Sequence, residues 1–133
     1  MKFIIAWFAT AAAFAVADAV WLSQAGPRLY RPLIGEILRP DIYFPAAIAF
    51  YLLYVTGLVY FAVAPGLSRQ SLLTVVVSAA LLGLVAYGAY DLTNQATLKV
   101  WDGRITAIDM AWGAFASALA ACAGYLAAQR WGG

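Results

Sequence analysis

Four long apolar stretches, separated by shorter polar segments, dominate the chain. They cover about residues 3–22, 44–63, 72–92 and 105–128. Each is close to the roughly 20 residues that a helix needs to cross a hydrocarbon core of about 30 Å. Because lipid offers the backbone no hydrogen-bond partners, such stretches fold as helices. The pattern predicts an all-α integral membrane four-helix bundle, with residues 1–133 forming a single transmembrane domain.

The first apolar stretch also resembles a secretory signal. Lys2 precedes the apolar run, and Ala17–Ala19 has the small-x-small pattern of a cleavage site. The apolar core of a signal is, however, only about 7–15 residues long, whereas this run is long enough to span a bilayer. We therefore interpret it as the first membrane helix.

The connection between the first two spans is the longest, and it contains Pro27, Pro32 and Pro40. The segment LIGEIL between these prolines is too short to cross a membrane. We expect it to form a short interfacial segment, a helix with its leucine and isoleucine side chains toward lipid or the bundle. An ordinary solvated loop is the alternative.

Composition supports a membrane environment and narrows the possible partners. The chain is 65% hydrophobic and 11% charged, against roughly 25% charged residues in soluble domains. Its net charge is +2 without a basic stripe, which argues against nucleic acid and leaves membrane lipids as the expected partners. Cys122 is the single cysteine and histidine is absent, so an intrachain disulfide is excluded and the commonest general base is missing.

Small residues recur on the fourth span at Gly113, Ser117, Ala121 and Gly124, and on the third at Gly83. Such faces allow the backbones of two helices to approach closely. The pattern fits contacts inside a compact bundle, and it fits a homodimer formed through the same faces equally well.

Basic residues are unevenly distributed between the two ends of the predicted bundle. The first and third loops carry five of them, Arg28, Arg31, Arg39, Lys99 and Arg104, and the opposite side carries three, Lys2, Arg69 and Arg130. Cytoplasmic loops are enriched in Lys and Arg. The bias therefore predicts that loops one and three face the cytoplasm.

Three aspartates, Asp18, Asp91 and Asp109, lie within or at the edges of the apolar stretches. A carboxylate at membrane depth costs about 2.5–3.5 kcal/mol on insertion scales, which makes such residues candidates for a functional site. All three lie near the ends that lead to loops one and three, so we expect them near one membrane face. The alternative is a structural role, capping helices or bridging them.

Helical spacing places further polar groups near these carboxylates. Tyr87 and Asn94 share a stripe with Asp91, and Trp112 follows Asp109 by three residues. Tyr51 and Tyr54 lie at the same end of the second span, where their hydroxyls can donate to carboxylates. The predicted ligand-binding set is Asp18, Tyr51, Tyr54, Tyr87, Asp91, Asn94, Lys99, Asp109 and Trp112.

The chemistry of this set leaves several functions open. Oxygen-rich groups suit Mg²⁺ or Ca²⁺, with Asp91, Asn94 and Asp109 as the candidate metal ligands, and basic groups at the rim suit phospholipid headgroups. No catalytic or cofactor motif occurs, so no catalytic residue or cofactor is predicted. Our leading hypothesis is binding of a small ligand or lipid headgroup, in transport or lipid handling. The alternatives are a membrane-embedded carboxylate enzyme acting on lipid and a structural accessory subunit.

Several sequence blocks resemble a family of bacterial membrane proteins known as domain of unknown function 2177. They are YGAYDLTNQATLKVW at 87–101, IDMAWG at 108–113, D-x-x-W-L at 18–22 and FYLLYVTGLVYFAV at 50–63. The resemblance covers nearly the whole chain. It implies a small four-helix protein of the bacterial cytoplasmic (inner) membrane, and it implies no established activity, substrate or catalytic residue.

Overall fold

The computed structural model describes residues 1–133 and consists of helices and short connections, without strands. Four helical stretches are long and apolar enough to cross a membrane: Lys2–Ile37, Phe44–Arg69, Leu72–Thr97 and Gly103–Trp131. The prediction of an all-α fold with four spans is thereby confirmed. Only the third and fourth stretches are uninterrupted α-helices.

The first stretch contains a long helix and three short helical segments. Helix α1 spans Lys2–Ala25 and is followed by a π-helical turn at Gly26–Tyr30, helix α2 at Arg31–Ile34 and a 3-10 turn at Gly35–Ile37. The sequence pattern suggested that the first helix ends near Leu22, but the chain stays helical until Leu38 becomes extended. Pro27 lies at the start of the π-helical turn and Pro32 at the start of α2, so the hydrogen-bond pattern of the helix changes where a proline lacks its N–H.

The second stretch consists of helix α3 at Phe44–Leu58, a π-helical turn at Val59–Val63 and helix α4 at Ala64–Arg69. The second apolar stretch ends at about residue 63, before the Ala64-Pro65-Gly66 sequence, but the helical structure continues to Arg69. The Ala64 N–H bonds to the carbonyl of Val59, five residues earlier, so the helix widens immediately before Pro65. A widened turn accommodates the proline ring and its missing N–H.

Helices α5, Leu72–Thr97, and α6, Gly103–Trp131, are antiparallel and pack closely. A Cβ atom built on Gly83 would lie 2.7 Å from the carbonyl carbon of Gly113, so the two backbones are nearly in contact there. Against the other side of α6, a Cβ on Gly124 would lie 2.9 Å from the Ala6 carbonyl oxygen. The small residues therefore serve contacts within the chain, because only glycine allows such an approach.

The core between the helices is small, and the exterior is strongly apolar. Phe14, Leu58, Val63 and Val75 are fully buried, together with many alanines. Large apolar side chains cover the outside of every long helix, including Phe8, Leu53, Leu73, Leu84, Phe115 and Leu126. A surface of this kind is suited to lipid rather than to water.

Candidate functional site

A cavity of about 430 Å³ lies where loops one and three meet the ends of the helices, and it is open on one side. We call it the aspartate pocket, because the only charged side chains among its thirteen lining residues are Asp18 and Asp109. The other lining residues are Trp21, Leu22, Tyr30, Ile34, Leu38, Phe50, Ala86, Tyr87, Tyr90, Trp101 and Trp112. Most of the wall is therefore aromatic or aliphatic.

Asp18 occupies the pocket from helix α1 and is almost completely buried, with 9% of its surface exposed. The Tyr51 hydroxyl donates a hydrogen bond to Asp18 Oδ2. This bond connects α1 to α3 and holds one carboxylate oxygen in place. The other oxygen of Asp18 has no hydrogen-bond partner in the chain.

Asp109 enters the pocket from helix α6 and is 6% exposed. The Tyr30 hydroxyl donates to Asp109 Oδ1 and accepts a hydrogen bond of 3.1 Å from Trp21 Nε1. Tyr30 was not among the predicted site residues, because it follows the predicted end of the first span. Helical side chains lean toward the N-terminus, which lets this tyrosine reach back into the pocket.

Two tryptophans form one wall of the aspartate pocket. Trp21 of α1 and Trp112 of α6 are stacked, with ring centroids 4.7 Å apart and planes inclined by 8°. Each follows a pocket aspartate by three residues, so the two D-x-x-W sequences bring both residue types to one place. Trp112 Nε1 is buried without a hydrogen-bond partner, and an unsatisfied buried donor costs about 1–3 kcal/mol.

Asp91 lies behind the pocket wall, beside Asp109, and is 0% exposed. Its carboxyl group has no polar partner other than Asp109. The Thr106 hydroxyl donates to the backbone carbonyl of Asp91 at 3.4 Å, which keeps α5 and α6 together at this level. The predicted clustering of three aspartates near one end of the bundle thus takes the form of two that line the cavity and one that lies behind it.

No cation of the chain neutralises these three carboxylates. The single salt bridge in the structure joins Asp102 to Arg104 at 2.9 Å, outside the pocket. Lys99, predicted as a site residue, is exposed beyond the end of α5 and does not line the cavity. The three aspartates therefore have no cationic partner within the protein.

Other predicted residues take different places. Tyr87 lines the pocket and covers Gly113, where an added Cβ would overlap its ring. Tyr54 was expected to donate to a carboxylate, but its hydroxyl shares a hydrogen bond of 2.6 Å with Ser117. Tyr54 follows Tyr51 by three residues, and its hydroxyl faces helix α6, whereas the Tyr51 hydroxyl faces Asp18. Asn94 is not part of the cavity lining.

The structure contains no complete group of ligands for the predicted metal ion. Asp91 and Asp109 are neighbours, but no group of three or more acidic or cysteine side chains is arranged to hold a metal ion. The candidate set of Asp91, Asn94 and Asp109 stays a prediction.

Trp101 is a site residue that sequence reasoning missed. It lines the aspartate pocket and packs edge-to-face on Tyr90 at 5.9 Å, although a tryptophan at the end of a span is usually part of the interfacial aromatic belt. The available signal was its position at the end of the distinctive block that also contains Tyr87 and Asp91. Aromatic type alone does not distinguish a belt residue from a pocket wall.

A second depression, of about 700 Å³, adjoins the aspartate pocket and shares Leu22, Tyr30 and Leu38 with it. Its polar side chains include Arg31 and Arg39. Neither arginine belongs to a salt bridge, and the Arg39 guanidinium lies 5.2 Å from the ring centroid of Tyr43. We call this depression the arginine groove.

Four apolar helical spans, with a pocket that contains two aspartates at one end, define a polytopic helical membrane protein. The chain belongs to the family described as predicted membrane protein (DUF2177), whose model matches residues 3–126. No curated protein and no solved structure shows significant similarity to the chain. The family description names no activity, so the function is argued from the pocket.

Proposed function

We propose that the protein binds a phospholipid through its headgroup, in the aspartate pocket. The observation that carries the proposal is the meeting of buried carboxylates and an exposed apolar rim in one open cavity. Leu22, Leu38 and Phe50 line this cavity although 44%, 41% and 44% of their respective surfaces are exposed. An amphiphile can place its polar end beside the aspartates while its chains lie against this rim, in lipid.

The arginine groove supports a phospholipid over a simple fatty acid or alcohol. Arg31 and Arg39 are exposed, unpaired cations next to the aspartate pocket, and guanidinium groups bind phosphate oxygens well. The volumes of both depressions fall within the roughly 300–1,000 Å³ of small-molecule sites. One headgroup therefore contacts both, with its phosphate in the arginine groove. We infer that the protein acts in lipid handling or transport.

The test is lipid retention measured by native mass spectrometry of the protein extracted from membranes. Ala86 lines the pocket, so Ala86→Phe fills it, whereas Ala89→Phe makes the same change on an exposed position of the same helix. We expect Ala86→Phe to lose bound lipid with little change in melting temperature, and Ala89→Phe to retain it. Equal retention by both variants, or retention of a water-soluble molecule instead of lipid, would contradict the proposal.

A scaffolding role is a second candidate, favoured by the tyrosine–aspartate hydrogen bonds. Tyr51 ties Asp18 to α3, and Tyr30 ties Asp109 to the segment after α1. If these carboxylates only hold helices together, Asp18→Leu and Asp109→Leu should lower the melting temperature while bound lipid stays unchanged. A fall in lipid content that exceeds the loss of folded protein would favour the binding role.

We further propose that the pocket opens at the cytoplasmic face of a bacterial cytoplasmic membrane. Loops one and three, which border the pocket, carry five basic residues against three on the opposite side, and such residues favour the cytoplasm. In a Cys122→Ala background, Ser68→Cys should react with a membrane-impermeant maleimide in intact cells. Asp41→Cys should react only after permeabilisation. The reverse pattern would invert the orientation.

A further inference from the structure

We propose that the aspartate pocket selects a ligand with an organic ammonium group, such as the amine end of a zwitterionic phospholipid headgroup. This inference rests on the proposed function and specifies which headgroups the site takes. Three independent features of the pocket carry it: uncompensated charge, an aromatic wall and a neighbouring site for an anion.

The first feature is the charge of the pocket. Tyr51 donates a hydrogen bond to one oxygen of Asp18 and Tyr30 to one oxygen of Asp109, and no Lys or Arg pairs with either aspartate. Asp91 is fully buried beside Asp109 and has no cationic partner either. Buried carboxylates without a partner are costly, and a cation offsets this cost. The chain provides no such cation here, so a cationic ligand would be stabilised by the pocket.

The second feature is the aromatic wall, which distinguishes an organic cation from a metal ion. Rings of Trp21, Trp112, Tyr87 and Tyr90 line the cavity, and the face of such a ring attracts a cation by about 0.5–2 kcal/mol. Metal ions such as Mg²⁺ need several oxygen ligands in place of their water, and the pocket does not assemble a metal-binding group. An alkylammonium group loses its weaker hydration more easily and presents methyl or methylene groups to the rings.

The third feature is the position of the arginine groove. It meets the aspartate pocket at Leu22, Tyr30 and Leu38, so a negative ligand site directly adjoins a positive one. In a zwitterionic headgroup an ammonium group is joined to a phosphate by a short ethylene link.

The experiment compares four phospholipids with identical acyl chains in native mass spectrometry of the delipidated full-length protein. Phosphatidylethanolamine and phosphatidylcholine carry an ammonium group, whereas phosphatidylglycerol and phosphatidic acid do not. We expect the first two to be retained about tenfold more strongly, a difference within the range of one desolvated charge–aromatic contact. Asp18→Asn/Asp109→Asn should abolish the preference, because the amide keeps the tyrosine acceptor but removes the charge. Asp41→Asn, the same change at an exposed position outside the pocket, should leave it intact.

The outcomes separate the two proposals. Equal retention of all four lipids, lost in Ala86→Phe, would overturn the ammonium selectivity and leave headgroup binding standing. Retention that is independent of Ala86→Phe would overturn both.

A second measurement avoids dependence on the double variant. Choline should change the intrinsic tryptophan fluorescence saturably, whereas 3,3-dimethylbutanol, its uncharged carbon isostere, should not. The single variants Asp18→Asn and Asp109→Asn should each weaken the choline response. Equal responses to the two probes would overturn the inference even if the double variant does not fold.

Discussion

The Tyr30 hydroxyl donates a hydrogen bond to Asp109 Oδ1, which joins the helical segment after α1 to helix α6. The same hydroxyl accepts from Trp21 Nε1, so one tyrosine connects two walls of the aspartate pocket. Tyr30 also borders the arginine groove. The shape of both depressions therefore depends on this residue.

Replacing Tyr30 by phenylalanine should both destabilise the protein and weaken lipid retention. The change removes the donor to Asp109 and the acceptor of Trp21 without altering the ring. We expect a loss of about 0.6–1.5 kcal/mol in the free energy of unfolding, seen as a lower melting temperature in detergent. Tyr60→Phe is the matched control, since Tyr60 is exposed and its hydroxyl makes no hydrogen bond within the chain. Identical melting temperatures for the two variants would refute the structural role of this bond.

Alanine substitutions at two glycines distinguish the effect of helix packing on stability from the effect of helix propensity. Gly83→Ala would place a Cβ against the backbone of Gly113, so we expect α5 and α6 to be forced apart at a cost of about 1–3 kcal/mol. Gly57→Ala is the control, because no atom lies within 4 Å of the added Cβ and alanine favours a helix by up to about 1 kcal/mol. Thermal melting should move in opposite directions for the two. A stable Gly83→Ala variant would contradict the close approach.

We expect Asp91→Asn to be tolerated and Asp109→Leu to destabilise the protein. Asp91→Asn keeps the size of the side chain and adds an amide donor beside the Asp109 carboxylate, which is worth about 0.5–1.5 kcal/mol. Asp109→Leu, in contrast, leaves the Tyr30 hydroxyl without its acceptor. We expect the melting temperature to be unchanged or raised by the first substitution and lowered by the second. A marked fall for Asp91→Asn would mean that the Asp91 carboxyl has a structural partner.

The start of helix α6 should respond to acid. Asp102 accepts hydrogen bonds from the Arg104 guanidinium and backbone N–H, which lower the pKa of this carboxyl from 3.8 to about 2. Because the folded-state pKa is the lower one, the ionised carboxylate contributes stability above pH 3.8 and loses it as the pH falls toward 2. Asp102→Asn retains a capping oxygen without the charge. The parent should therefore melt higher than this variant at neutral pH, and the difference should disappear near pH 2. A difference that does not change with pH would contradict this account.

The fold class could be predicted from the sequence because each apolar segment must satisfy its own backbone hydrogen bonds in lipid. A run such as 72–92 must become a helix in lipid whatever its neighbours do, since its backbone groups have no other partners. Polar positions were also informative. Asp18 and Asp109 lie in apolar helices, where a carboxyl group costs free energy, and this cost marks them as candidate site residues. Boundaries were harder: Pro65 is a helix breaker in isolation, and only the widened turn before it lets the helix continue.

The sequence alone predicted a four-helix membrane protein with three aspartates near one end, of which Asp18 and Asp109 line the pocket. Only the tertiary structure decided what surrounds these carboxylates, because that depends on contacts between residues distant in the chain. Tyr30 reaches Asp109 across 79 positions and Tyr51 reaches Asp18 across 33, whereas Tyr54 turns toward Ser117 and Asp91 is enclosed behind the wall. Helical periodicity gives the face of a single helix; which faces meet is set by close packing at small residues such as Gly83 and Gly124.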